Sequence, residues 1–150
     1  MRRMFSGLAI WMVASVALAA DATTPAGLWK TIDDKTGGPR SFVRIVRTPA
    51  GYEGKVVRIL PLPSDDPDNP DRLCKLCTDE RKDKPILGMV ILRGLRPDGD
   101  VFAGGEILDP DNGKTYRCKL TVRDGGKRLD VRGFIGISLI GRTQSWVREE

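Results

Sequence analysis

The run Thr115-Tyr116-Arg117-Cys118-Lys119-Leu120-Thr121-Val122-Arg123 places Tyr, Cys, Leu and Val at alternate positions with Thr, Arg and Lys between them. A period of two gives one face to a core and the other to water, which is the signature of a half-buried strand. Leu129 and Val131 alternate with Arg128, Asp130 and Arg132 in the same way, and Asp124-Gly125-Gly126-Lys127 between the two runs is a hairpin turn signal. Pro110-Asp111-Asn112-Gly113, Arg96-Pro97-Asp98-Gly99 and Thr48-Pro49-Ala50-Gly51 are three more turns with strand-like runs on either side. The pattern predicts strands at roughly 27–33, 41–47, 52–60, 87–94, 101–108, 114–123, 128–134 and 143–149. No helical period follows residue 20. The best candidate, Phe134 to Ile140, is short and glycine-flanked, enough for one turn capping an end. A meander of this size has two edges to protect, and closing it on itself removes both. The expected fold is therefore all-β: a small antiparallel up-and-down barrel of about eight strands, with an open sandwich as the alternative.

The N-terminus sets the expected compartment. Arg2 and Arg3 form a short positive region, Phe5 to Leu18 an apolar stretch, and Ala17-Leu18-Ala19 a small-x-small cleavage signal. Residues 1–20 read as a secretory signal peptide and residues 21–150 as one domain, placed in the periplasm or outside the cell. Arg2-Arg3-Met4-Phe5 partly resembles a twin-arginine signal, although general secretion is the default reading. The apolar run is shorter than a span needs and no basic stop-transfer segment follows Ala20, so the mature form is expected to carry no transmembrane segment. Without Arg2 and Arg3 the formal charge falls from +5 to about +3. The charges are interspersed, with no basic run carrying aromatics between its members, which argues against nucleic acid.

The chain has no histidine. That removes Ser-His-Asp and Cys-His triads, paired-histidine zinc sites and the usual general base. An enzyme would have to work with convergent acids such as Glu106, Asp109 and Asp130, yet turn and strand-face positions account for each without chemistry. Neither an enzyme nor a cofactor is expected.

The long interruption of the strand pattern, about 61–85, carries Pro61, Pro63, Pro67 and Pro70 and then Cys74-Lys75-Leu76-Cys77. Loops this long in small domains are functional or tied down. A thioredoxin-like site wants its first cysteine at a helix N-terminus after a buried strand, and neither is present. Zinc would need an Asp to complete Cys74, Cys77 and Cys118. Calcium would draw on Asp65, Asp66, Asp68, Asn69 and Asp71, but the EF-hand order and its mid-loop glycine are missing. The favoured reading is scaffold, with no metal: Cys74 and Cys77 pair in an oxidising compartment, and Cys118, on the apolar face of its strand, is a small buried hydrophobe. A bridge from Cys118 to Cys74 or Cys77 remains the alternative.

Gly27-Leu28-Trp29, Asp68-Asn69-Pro70, Pro85-Ile86-Leu87-Gly88, Gly104-Gly105-Glu106-Ile107-Leu108-Asp109-Pro110, Gly113-Lys114-Thr115-Tyr116, Leu129-Asp130-Val131-Arg132-Gly133 and Gly141-Arg142-Thr143-Gln144-Ser145-Trp146-Val147-Arg148 resemble the bacterial exported family called domain of unknown function 2147. The resemblance spans nearly the whole mature chain and implies a small extracytoplasmic β-barrel without an established activity or catalytic residues. A second resemblance, to lipocalins and other calycins, rests on Gly27-Leu28-Trp29 in the first strand and Arg148 in the last. It implies that Trp29 packs under Arg148 where the barrel closes, an indole face accepting a guanidinium.

The resulting expectation is a binding module for a small amphipathic or anionic ligand, with Trp29 and Trp146 near the cavity and Arg44, Arg58, Arg132 or Arg142 available to an anionic group. A packed barrel serving as an envelope structural or protein-interaction domain is the alternative, and a carboxylate or thiol-redox enzyme the second. The sequence identifies no protein partner.

Overall fold

A computed structural model describes residues 21–137 and 140–150. Eight strands follow in chain order: β1 (Gly27–Ile32), β2 (Pro39–Thr48), β3 (Gly51–Ile59), β4 (Val90–Asp98), β5 (Val101–Asp109), β6 (Lys114–Arg123), β7 (Arg128–Phe134) and β8 (Gly141–Arg148). Each pairs antiparallel with the next, and β1 pairs with β8 through Trp29↔Arg148 and Lys30↔Val147, closing the barrel. That seam rules out the open sandwich. All eight expected strands are present. The fourth starts at Val90, later than 87, because Gly88 is held back in the preceding loop by its N–H bond to the Val56 carbonyl, 2.7 Å. It also runs through Pro97, which pairs across with Phe102, so the turn tip falls on Gly99 and Asp100. No helix forms among the described residues of 134–140: Phe134 ends β7, and Ile140 N–H bonds the Ile137 carbonyl at 3.1 Å in a bend. Ser138 and Leu139 lie outside the described residues.

The two ends of the barrel differ because alternate connections differ in length. At one end the β2–β3, β4–β5 and β6–β7 turns are tight, the last a single 3₁₀ turn at Asp124–Gly126. Buried Trp29, Ile45, Tyr52, Leu95, Leu120 and Leu129 fill the barrel on this side, and the Tyr52 and Phe102 rings meet edge to face at 5.2 Å. Arg148 seals it. Its guanidinium lies 4.2 Å from the centre of the Trp29 ring and donates to the carbonyls of Ala26 at 2.7 Å, Thr24 at 2.8 Å and Gly126. The indole N–H of Trp29 donates to the Pro25 carbonyl at 2.7 Å, so the N-terminal segment is fastened by both members of the pair.

The other end carries the longer connections, including the proline-rich segment between β3 and β4. Leu73 bridges Pro85, and Cys74 N–H donates to the Lys84 carbonyl at 2.8 Å. Cys74 and Cys77 form a disulfide that is itself buried. The loop docks onto the β5–β6 turn at Gly113. Gly113 has φ 72°, and a Cβ there would lie 2.0 Å from the Leu76 carbonyl oxygen, so only glycine lets the two backbones approach this closely. Arg81, 7% exposed, anchors the far side: it pairs with Asp79 at 2.6 Å and donates to the Val90 carbonyl at 3.0 Å. Hydrogen bonds from the Arg81 side chain and its N–H pull the Asp79 carboxyl down to about 2.

Three of the five side chains weighed for calcium are engaged in the loop's own architecture. Asp65 accepts from Leu62 N–H, Asp66 from Asp68 N–H, and Asn69 both accepts from Leu73 N–H and donates to the Leu73 carbonyl. These are turn-capping bonds.

Candidate functional site

Above the packed end the barrel opens into a cavity of about 660 Å³ that reaches the long-loop end. Val56, Ile91, Leu108 and Val131 stand around this upper part of the barrel, with Trp146 beside them. Ile59 and Ile107 continue this wall upward, while Ile86, from the β3–β4 loop, leans in. Gly133 faces the space with no side chain: a Cβ there would meet Ile107 Cγ2 and Tyr116 Cβ at 3.5 Å, an ordinary contact distance.

Polar groups in the wall are already paired. The Thr31 and Ser41 hydroxyls share a hydrogen bond of 2.8 Å, and the Trp146 indole N–H donates to Gln144 Oε1 at 3.3 Å. At the mouth, Gln144 donates to Asp34 at 2.9 Å and Arg142 pairs with the same carboxylate at 3.0 Å. Arg40 pairs with Asp65 at 2.9 Å and Asp111 at 3.1 Å, and Arg72 also holds Asp65. Burial opposes the charge on Asp65, but the Leu62 N–H and the two guanidiniums outweigh it and lower its pKa. Asp109 goes the other way: burial raises its pKa, and the N–H of Asp111, 3.0 Å from its carboxylate, only partly offsets this. An apolar interior under a charge-balanced rim can take up an apolar body and leave a polar end at the mouth.

The residues expected at a site separate in this geometry. Trp146 lines the cavity; Trp29 does not, lying in the sealed end beneath Arg148. Arg142 sits on the rim, two-thirds exposed. Arg44 is on the outer face, paired with Glu150. Arg58 lies over the Phe42 ring at 5.5 Å, also outside, and Arg132 donates to the Thr143 hydroxyl at 3.0 Å. Of the candidate acids, Asp109 lines the cavity, Glu106 pairs with Arg93, and Asp130 pairs with Arg123 and Arg128. They do not converge. Among the described residues no group of three His, Cys, Asp or Glu side chains is placed to hold a metal ion. Arg40, Arg72 and Ile86 are among the cavity residues the sequence reading missed. They stand at a strand end or in the long loop, where no period assigns a face.

Cys118 is buried on β6 and unpaired with another cysteine, and burial pushes its thiol up to about 12. Alkylation of unreduced protein should therefore modify Cys118 after unfolding and leave it untouched before, and peptide mapping should recover Cys74 joined to Cys77. Rapid labelling of the native protein at mildly alkaline pH would contradict this burial.

A family model described as "Uncharacterized protein conserved in bacteria (DUF2147)" matches residues 27–148, from the first residue of β1 to the last of β8. The chain belongs to the DUF2147 family. Among solved structures, this DUF2147 chain is similar to protein HP1028 from Helicobacter pylori, described as belonging to the lipocalin family. The TM-score is 0.67 at 17% identity, over 83% of this chain and 82% of that one. At that identity the likeness is one of fold, and it agrees with the closed eight-stranded barrel of the DUF2147 chain. No curated protein matches.

Proposed function

We propose that this protein is a binding module that takes a small amphipathic molecule into the upper half of its barrel, acting in the periplasm or outside the cell and without catalysis. The observation that carries the reading is the cavity: about 660 Å³, aliphatic and aromatic in depth, with its ionised groups confined to the mouth. The packed-barrel alternative fits the sealed end and not this one. Arg40, Arg72 and Arg142 each already face a carboxylate, so an anionic group gains less beside them than at an unpaired cation, which leaves Lys35, among the described residues, as the lining cation outside these pairs. Burial of an apolar body is the main driving term, and the ligand's polar end lies among the rim charges.

Export rests on the Arg2-Arg3 region, the apolar run and the small residues at 17 and 19, and a buried disulfide suits an oxidising compartment. Intact mass of periplasmic material should correspond to a chain beginning at Ala20 or Asp21, and retention of Arg2 would refute export by cleavage. Binding is tested by tryptophan emission. An amphipathic ligand should change the Trp146 signal saturably, and the change should survive Trp29→Phe and vanish in Trp146→Phe, since Trp146 is the one tryptophan among the described residues that faces the cavity.

A further inference from the structure

We propose that the β7–β8 loop docks the open end of the barrel onto an anionic phospholipid surface, with Ile135, Ile137 and Ile140 as the inserted side chains. They are 67%, 60% and 67% exposed, three large aliphatics within six positions of one connection. Single exposed aliphatics scattered over a surface need no explanation, whereas a cluster at the lip of a cavity does. Ile135 and Ile140 also line the mouth, so apolar surface continues from the interior over the rim to the outside of the loop.

The occupant follows from size and charge. A stable protein interface draws on roughly 20–30 residues a side, far more than one short loop supplies. Interfacial attachment to a bilayer needs an apolar tip and flanking cations. Between Asp130 and Glu149 the chain carries no acid, while Arg132 on β7 and Arg142 on β8 flank the loop. Arg142 holds Asp34 in an exposed ion pair, so a lipid phosphate at this arginine competes with that carboxylate and the electrostatic part of the attachment is modest. The barrel itself does not span: the outward positions of β6 are Arg117, Lys119, Thr121 and Arg123, where a lipid-facing band would be apolar. Docked by this loop, the barrel would receive an apolar molecule from the bilayer across a continuous apolar path.

Ile137 does not line the cavity, which separates docking from ligand binding. The test is flotation of the purified protein with vesicles of phosphatidylethanolamine and phosphatidylglycerol. Wild type should float with them, less so as salt is raised, and Ile137→Asp should lower the partition coefficient at least tenfold while its thermal melt and its affinity for a cavity probe stay unchanged. The proposal fails if folded wild type stays with the soluble fraction at millimolar lipid, or if Ile137→Asp floats equally well. It also fails if the substitution instead converts a dimer into a monomer, which would assign the loop to a second copy of the chain.

Discussion

Trp29→Ala should lower the unfolding free energy by about 3–5 kcal/mol, the usual loss for truncating a buried aromatic side chain. Trp29 is 0% exposed and has three jobs. It fills the sealed end, donates its indole N–H to Pro25, and supplies the face on which the Arg148 guanidinium rests. Removing it leaves a void among Val43, Ile45 and Leu129 and takes the ring from beneath a partly buried cation, whose pKa burial already lowers. Urea melts followed by far-UV circular dichroism measure the effect without relying on the lost fluorophore. In a double-mutant cycle with Arg148→Ala, the two positions should couple by about 1–2 kcal/mol, as expected for a desolvated cation–π pair. A Trp29→Ala loss below about 1 kcal/mol would show that the seam between β1 and β8 is not a principal source of stability, contrary to the packing described.

Much of this fold was readable because its strands alternate. β6 and β7 bury one face each, and the register Cys118↔Gly133, Leu120↔Val131 and Val122↔Leu129 follows from the inner positions of both. The closing contact was implied by the lipocalin-like resemblance of Gly27-Leu28-Trp29 and Arg148, with the attraction of an indole face for a guanidinium as its physical reason. Strand limits were harder where two signals conflict. Pro85-Ile86-Leu87-Gly88 is apolar enough to open a strand, yet Met89 and Ile86 are drawn into the loop's own bonds before β4 begins.

The site was less legible than the fold, and partly for an avoidable reason. Arg44 stands between buried Val43 and Ile45, so the period that identifies β2 also turns Arg44 outward. Arg132, between Val131 and Gly133, follows the same rule. Of the arginines expected at the site only Arg142 reaches the rim, and Arg40 and Arg72 join it from elsewhere. Arg40 sits near the start of β2 and Arg72 in a loop that tertiary contacts position through Asp65, which no local pattern encodes. Likewise, the size of the cavity depends on how far the core fills the barrel, a property of all eight strands together.

Filling that cavity gives the second large expected effect. Gly133 faces the space from β7 with an ordinary extended backbone, and a Cβ there meets Ile107 and Tyr116 at ordinary contact distance, with the cavity beyond to receive a larger side chain. Gly133→Phe should therefore occupy volume a ligand would use while leaving the sheet intact. The deciding measurement is fluorescence titration of wild type and Gly133→Phe with anilinonaphthalene sulfonate, displaced by laurate and followed by thermal melts of both proteins. Wild type should bind the probe saturably and release it to laurate, and Gly133→Phe should weaken both at least tenfold, about 1.4 kcal/mol, with its melting temperature retained. Absence of saturable, displaceable binding by wild type, or equal affinity in a well-folded Gly133→Phe, would contradict ligand uptake into the barrel.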